Sequence, residues 1–147
     1  MSPEPIYGNQ YFTVETCATC AVPGYLIVGP KLPVTSVSEM NPEVLAALGP
    51  TLALATRAIE AVLRPERIYC ALFAEQTRHV HFHLFPRTAE LARQFLASHP
   101  QDAEISGPRL LDWARHTFQQ PAAGNDDVTE KIQAFCKNHV SDSTMPA

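Results

Sequence analysis

One segment near the middle of the chain, His79–Phe85 (HVHFHLF), constrains the fold more than any other. Side chains of a β-strand point alternately to its two faces, so this segment predicts a strand with one polar and one apolar face. The polar face carries three histidines: His79, His81 and His83. The apolar face carries three residues that can enter a core: Val80, Phe82 and Leu84. Three imidazoles on one rigid face predict a functional site, because each ring needs partners for two nitrogens.

The spacing of these histidines leaves two kinds of site open. Imidazoles at alternate strand positions can chelate zinc or iron, which would make the chain a metal-dependent enzyme with the three histidines as ligands. Alternatively, one imidazole acts as a nucleophile toward phosphorus, while its neighbours orient it and stabilise charge. A solvated strand face without a function is the remaining interpretation.

The flanking segments predict an α+β fold. Tyr11–Thr16 and Tyr25–Val28 are expected to form a β-hairpin, because they combine aromatic and β-branched residues around a turn-like stretch. Ile68–Phe73 is expected to pair with the histidine strand in antiparallel orientation. Asn41–Leu63 predicts one long helix with an apolar face that crosses the sheet.

Proline and asparagine mark the limits of that helix. Asn41 is expected to be its N-cap and Pro42 its first residue, while Pro65 stops it. Gly49-Pro50 lies inside the pattern and is expected to kink the helix or divide it in two.

The C-terminal third predicts additional helices around Leu91–Leu96, Leu110–Phe118 and Val128–His139. We expect one domain over residues 1–120, followed by a helical extension and tail over residues 121–147. A loop over residues 121–126, in which Asn125 or Asp126 could cap the last helix, and a frayed tail over residues 141–147 are expected.

Composition narrows the class of protein. A chain of 147 residues with 46% hydrophobic and 18% charged residues is expected to form a globular domain. Its formal charge of −4 argues against binding to nucleic acid, which requires a basic face. We find no signal-peptide pattern and no apolar run of membrane-spanning length, so a cytoplasmic location without membrane contact is expected.

The four cysteines do not suggest a disulfide scaffold in a chain of this size. Cys17-x-x-Cys20 and Cys136-x-x-His139 could together supply a Cys₃His zinc site, provided that the two halves meet in space. Free thiols are the favoured interpretation, so no metal ligand is assigned.

The segment HVHFHLF is similar to the His-x-His-x-His-x-x signature of the histidine triad superfamily, in which x is mostly apolar. Upstream, the segment 22–31 (VPGYLIVGPK) resembles the second strand of that family, and Pro42-Glu43 with the apolar face behind it resembles its long helix. The resemblance covers about residues 11 to 88 and implies the histidine triad fold.

The resemblance also implies a mechanism and roles for the three histidines. His81 would be the nucleophile that attacks the α-phosphorus of a nucleotide, and a backbone carbonyl would hold its other ring nitrogen as a donor. His83 would contact phosphate oxygens, and His79 would line the pocket and assist proton transfer. A homodimer is implied, no cofactor is required, and a divalent cation could accompany the substrate phosphates.

The chain departs from the family pattern at two places. Tyr25 stands where many members carry a fourth histidine, and a phenol is a poor general acid near neutral pH. The loop before the histidines is shortened to residues 74–78, where Gln76 and Thr77 are expected to contact phosphates and Arg78 to add positive charge.

We therefore expect a nucleotide hydrolase or nucleotidyl transferase that acts through a covalent nucleotidyl-histidine. A dinucleoside polyphosphate or a nucleoside phosphoramidate is the expected substrate. The departures from the family pattern leave one more alternative besides the metal-dependent enzyme, namely a nucleotide-binding protein with little turnover.

Overall fold

The computed structural model describes residues 5–119 and 126–140. Its five strands form one antiparallel sheet in the order β1-β2-β3-β5-β4. The strands are β1 Tyr7–Gly8, β2 Phe12–Thr16, β3 Leu26–Pro30, β4 Arg67–Ala71 and β5 Phe82–Arg87. The helices are α1 Pro42–Leu63, α2 Ala89–Ser98, α3 Gly107–Thr117 and α4 Asp126–Asn138, and a short 3-10 helix spans Val37–Glu39. The α+β class predicted from the sequence is confirmed.

The predicted strand pairings are correct. β2 and β3 form the hairpin, with Thr16 opposite Leu26, and β4 pairs with β5 in antiparallel orientation. The two-residue strand β1, which pairs with the outer edge of β2, was not predicted.

The histidine strand begins later than the sequence predicts. β5 starts at Phe82 instead of His79, so His79 and His81 precede the strand and only His83 belongs to it. At this end of the sheet β4 stops at Ala71, opposite His83, and the pairing of β5 with β3 ends at Phe82, opposite Val28. The backbone N–H of Val80 donates instead to the carbonyl of Val34, at 2.8 Å.

α1 begins as predicted. The side chain of Asn41 accepts a hydrogen bond from the backbone N–H of Val44 at 3.0 Å, and Pro42 occupies the first turn. The helix ends at Leu63, where Arg64 adopts a left-handed conformation (φ 49°) just before Pro65.

The expected division of α1 at Gly49-Pro50 is wrong, because one α-helix of 22 residues runs through both. An internal proline costs about 3 kcal/mol, but both halves of α1 pack against the same core. Leu48 precedes the proline and is partly buried there, and Leu54 follows it and is fully buried. Tertiary packing thus offsets the local cost.

Helices cover both faces of the sheet. We call the side under α1 and α4 the core face; its buried residues include Val14, Val28, Leu54, Ile59, Leu84 and Ile132. We call the opposite side, partly covered by α2 and α3, the cavity face; its buried residues include Val22, Tyr25, Phe85, Phe95, Leu110 and Ala114. Consecutive residues of β5 therefore serve different faces.

α1 is apolar enough to satisfy the length and composition of a membrane span, with a mean hydropathy of 1.3, contrary to the expectation from the sequence. Core helices of globular domains meet the same criterion. Here Leu54, Ala55, Ala58 and Ile59 are buried within the domain, as in a helix that packs against a sheet.

α4 belongs to the same core as the sheet. It contacts α1 and β1, and its residues Ile132 and Cys136 are fully buried on the core face. The proposed boundary at residue 120 and the expected tail over residues 141–147 lie outside the described residues. The same holds for the expected loop over residues 121–126 except at Asp126, which is the first residue of α4.

Candidate active site

A cavity of about 460 Å³ opens on the cavity face, within the size range of small-molecule sites. Three segments form its walls: the turn between β2 and β3, the loop that follows β4, and the face of α3 between Pro108 and Arg115. The residues that line it are Cys17, Ala18, Thr19, Ile27, Phe73, Ala74, Glu75, Gln76, Thr77, His81, His83, Pro108, Leu111, Asp112 and Arg115. Two of the three sequence-predicted histidines thus meet in one cleft.

The His81 ring has a defined tautomer. Its Nδ1 lies 2.8 Å from the backbone carbonyl oxygen of His79. A carbonyl can only accept, so Nδ1 carries the hydrogen and donates it. Nε2 of the neutral ring therefore keeps a free lone pair, as a nucleophile requires. This is the carbonyl contact that the family resemblance implies.

His83 is held from behind by Tyr25. The Tyr25 hydroxyl lies 2.7 Å from Nδ1 of His83, and both side chains are buried. Burial raises the pKa of Tyr25, so the phenol keeps its proton at neutral pH. We assign the phenol as the donor, because a buried hydroxyl proton without an acceptor would be costly. Nδ1 of His83 then accepts, and Nε2–H is available as a donor.

His83 is neutral in this setting. Burial lowers its pKa to about 4, and the nearby His81 ring and the positive charge of Arg115 act in the same direction. The rings of His81 and His83 have centroids 4.9 Å apart. In the cavity, the free lone pair on His81 thus lies next to the N–H donor of His83. This arrangement suits attack of His81 on phosphorus, because His83 can stabilise the charge that develops on the phosphoryl oxygens.

The other predicted site residues are divided between the cavity and its surroundings. Gln76 and Thr77 line the cavity, as expected for residues that contact a ligand. Tyr25 does not line it and lies behind His83. Arg78 and the side chain of His79 are exposed and are not among the lining residues, although the His79 carbonyl holds His81.

The contribution of α3 to the cavity was not predicted from the sequence. Its residues Leu110, Leu111 and Ala114 are buried against the sheet, and this packing brings Arg115 to the cavity wall. Leu111 and Arg115 are four residues apart, so they lie on neighbouring turns of one helix face. That spacing is the only feature of the sequence that relates Arg115 to the buried face of α3, and it does not show which part of the protein this face contacts.

The residues that the structure describes do not form the metal sites that were considered. In residues 5–119 and 126–140, no group of three or more His, Cys, Asp or Glu side chains is arranged to hold a metal ion. Cys17 and Cys20 pack on the cavity face, whereas Cys136 is buried on the core face. The two halves of the possible Cys₃His site therefore do not meet.

Comparisons with known proteins agree with this architecture. No family model and no curated protein sequence matches the chain. Among solved structures, a HIT-like protein from Bartonella henselae involved in cell-cycle regulation superposes with a TM-score of 0.64 at 17% identity, over 92% of this chain and 88% of that one. A hypothetical histidine triad nucleotide-binding protein from Sulfolobus tokodaii gives a TM-score of 0.63 at 13% identity, over 92% and 84% of the two chains.

A third similar structure is the diadenosine triphosphate hydrolase of Plasmodium falciparum, with a TM-score of 0.58 at 10% identity over 96% of this chain and 79% of that one. At identities this low, the superpositions establish a common fold and nothing more specific. The chain therefore has the histidine triad fold, and the fold implied by the sequence resemblance is confirmed.

Proposed function

We propose that this protein is a nucleotide hydrolase or nucleotidyl transferase of the histidine triad type, with His81 as the nucleophile. The observation that carries the proposal is the hydrogen bond from His81 Nδ1 to the His79 carbonyl, at 2.8 Å, inside a cavity shared with His83. This bond leaves Nε2 free to attack. Similar structures that are described as a nucleotide-binding protein and a diadenosine triphosphate hydrolase support the choice of substrate class.

The proposed reaction has two displacements at the α-phosphorus. In the first, Nε2 of His81 forms a bond to phosphorus, and the bond to the leaving group breaks with its electron pair. A phosphate chain departs as an anion, whereas an amine takes up a proton from solvent water as its bond to phosphorus breaks. In the second, water attacks the nucleotidyl-His81 and loses a proton to solvent, and the electron pair of the bond between Nε2 and phosphorus returns to Nε2. Another acceptor in place of water would make the reaction a transfer.

The other residues assist without forming a covalent bond. His83 donates Nε2–H to a phosphoryl oxygen, and Tyr25 keeps that tautomer in place through Nδ1. Gln76 and Thr77 in the loop that follows β4 supply neutral hydrogen-bond donors to the phosphates. The mechanism needs no cofactor, and a divalent cation can accompany the substrate phosphates.

Mass measurement of a covalent intermediate tests this proposal. Wild type and His81→Ala are incubated briefly with diadenosine triphosphate or adenosine phosphoramidate, and intact protein mass and released AMP are measured. We expect AMP release and a trapped adenylyl adduct with the wild type only. His116→Ala is the control, because this exposed histidine on α3 does not line the cavity. AMP release by His81→Ala at the wild-type rate would overturn the proposal.

Tyr25 favours a second candidate function, a nucleotide-binding protein with little turnover. With burial raising its pKa, the phenol holds its proton too tightly to act as a general acid near neutral pH. This candidate predicts saturable binding of AMP by calorimetry with neither released mononucleotide nor adduct. A requirement for a stoichiometric bound transition metal would instead favour the metal-dependent alternative.

We also propose that the protein is a cytoplasmic homodimer. β4 is an edge strand with one side unpaired, and the neighbouring Leu72 and Phe73 are exposed. A second copy that pairs along β4 would cover them and extend the sheet. Sedimentation or light scattering should give twice the chain mass, and Cys70→Pro in β4 should reduce it to one chain, because proline removes a ladder donor. A monomeric wild type would contradict this proposal.

A further inference from the structure

Arg115 is placed where a ligand would lie. It is half-buried on α3 and lines the cavity together with His81 and His83. Within the described ranges it is the only lysine or arginine on the cavity wall. Its positive charge acts on His83, where it adds to the effects of burial and of His81 in lowering the pKa.

The guanidinium of Arg115 has no protein partner in the part of the chain that the structure describes, where no hydrogen bond or ion pair involves it. By contrast, Arg87 bonds to Tyr69 and lies near Glu66. Arg109, on the same helix as Arg115, is paired with Asp102 at 2.5 Å. Arg115 is thus a half-buried cation with its donors free.

Two carboxylates also line the cavity, but neither forms an ion pair with Arg115 in the described residues. Glu75 is exposed on the loop after β4. Asp112 is exposed on α3, and its Oδ1 lies 3.4 Å from Nδ1 of His116, a residue that does not line the cavity. A partly desolvated cation without a counter-charge is unfavourable until an anion binds, and a guanidinium fits a phosphate with two parallel hydrogen bonds.

We propose that Arg115 binds a phosphate group of the substrate other than the one that His81 attacks. The site then prefers nucleotides whose leaving group is a phosphate chain over phosphoramidates whose leaving group is a neutral amine. This inference rests on the proposed function and selects between its two substrate classes. It also resolves a conflict of charge, because a chain with a net charge of −4 must attract an anion through a local cation.

Arg115 and the histidines have different roles in the proposed binding of phosphates, because their charges differ. His83 is neutral at physiological pH and contributes a hydrogen-bond donor, so the formal charge that complements a phosphate chain must come from another residue. Arg115 supplies a guanidinium, whose formal positive charge and paired N–H donors complement a phosphate. Adenosine phosphoramidate has a single phosphate, which His81 and His83 occupy, so this substrate gains little from Arg115.

Substrate discrimination by Arg115 variants tests the inference. kcat/KM is measured for diadenosine triphosphate and for adenosine phosphoramidate with the wild type, Arg115→Ala, Arg115→Lys and Arg109→Ala. A charge-assisted hydrogen-bond pair predicts a loss of roughly 10- to 100-fold on the triphosphate for Arg115→Ala and a change below about threefold on the phosphoramidate. Arg115→Lys should recover part of the loss. The control Arg109→Ala removes a cation of the same helix outside the cavity and should change neither value.

The outcomes separate this inference from the proposed function. Turnover of both substrates with an unchanged ratio of the two kcat/KM values in Arg115→Ala would overturn the role of Arg115 and leave His81 chemistry intact. An equal loss on both substrates would do the same, because it would indicate a general structural effect. Turnover of neither substrate by the wild type would overturn both proposals.

Discussion

The two faces of the segment that carries the histidines differ in what covers them. On the core face, Val80 and Leu84 are buried under α1 and α4 in a continuous apolar cluster. On the cavity face, α2 and α3 cover only part of the sheet, so His81 remains half-exposed at the edge of the cleft and His83 is buried behind it. Residues of one segment thus contribute to stability or to chemistry according to the face they occupy.

The largest expected effect falls on the cavity face. His81→Ala removes the proposed nucleophile and should lower kcat/KM for diadenosine triphosphate by about 10³-fold or more. The free energy of unfolding should change by less than about 1 kcal/mol, since the ring is half-exposed and makes a single hydrogen bond. Steady-state kinetics and urea unfolding measure the two quantities. Equal damage to both would contradict the separation of the two faces.

Leu84→Ala tests the core face. Truncating a fully buried leucine should cost about 2–5 kcal/mol of unfolding free energy in urea, because it leaves a cavity under α1. kcat per folded molecule should stay within about twofold, since the side chain points away from the cleft. Leu32→Ala is the matched control at an exposed position, and it should change stability by less than about 0.5 kcal/mol.

The stability of the cavity face should depend on pH through His83. The pKa of this histidine is about 4 in the folded protein and 6.5 when the ring is exposed to solvent, so the unfolded chain binds the proton first as pH falls. Its contribution to stability is complete above about pH 6.5 and is lost as pH falls toward 4, by at most about 3 kcal/mol.

Urea unfolding at several pH values measures this effect, with His83→Asn as the comparison. The variant keeps a hydrogen-bond acceptor for Tyr25 but cannot titrate, so its stability should fall less steeply between pH 6.5 and 4. Parallel dependences of the unfolding free energy on pH for the wild type and the variant would contradict a lowered pKa of His83 in the folded protein.

The smallest expected effect is that of Tyr25→Phe, which removes one hydrogen bond to His83. The buried Nδ1 loses its donor, which should cost about 1–3 kcal/mol of stability. Activity should fall about 10-fold, because the tautomer that presents Nε2–H is no longer fixed. Tyr25→His should restore part of the activity, and Tyr11→Phe is the control. An unchanged pH profile in Tyr25→Phe would contradict the positioning role.

The elements that could be predicted from the sequence are those with local signals. The hairpin, the capped start of α1 and the apolar side of the histidine segment follow from alternation, capping and helical spacing. The late start of β5 does not, since it depends on how far the neighbouring strands β3 and β4 pair with this segment in the folded sheet. Local rules also predicted a kink or a division at Gly49-Pro50, and the division does not occur.

The same limit applies to the candidate site. His81 and His83 share a cavity as the strand period predicts, although His81 precedes the strand. The contact between Tyr25 and His83 joins residues 58 positions apart, so only the sheet register brings them together. Arg115 comes from a helix whose position depends on the packing of its apolar face, and no local pattern records that position.

Cys17 lies on the wall of the cavity, so the reactivity of its thiol can report whether a ligand is bound there. Cys17 lines the cavity, Cys70 is exposed on β4, and the remaining two thiols, Cys20 and Cys136, are buried. An alkylating reagent applied to the native protein should therefore label Cys17, and a bound nucleotide should shield it. The fall in Cys17 labelling, read by peptide mass spectrometry, would measure occupancy of the cleft by any ligand, including one that is never turned over.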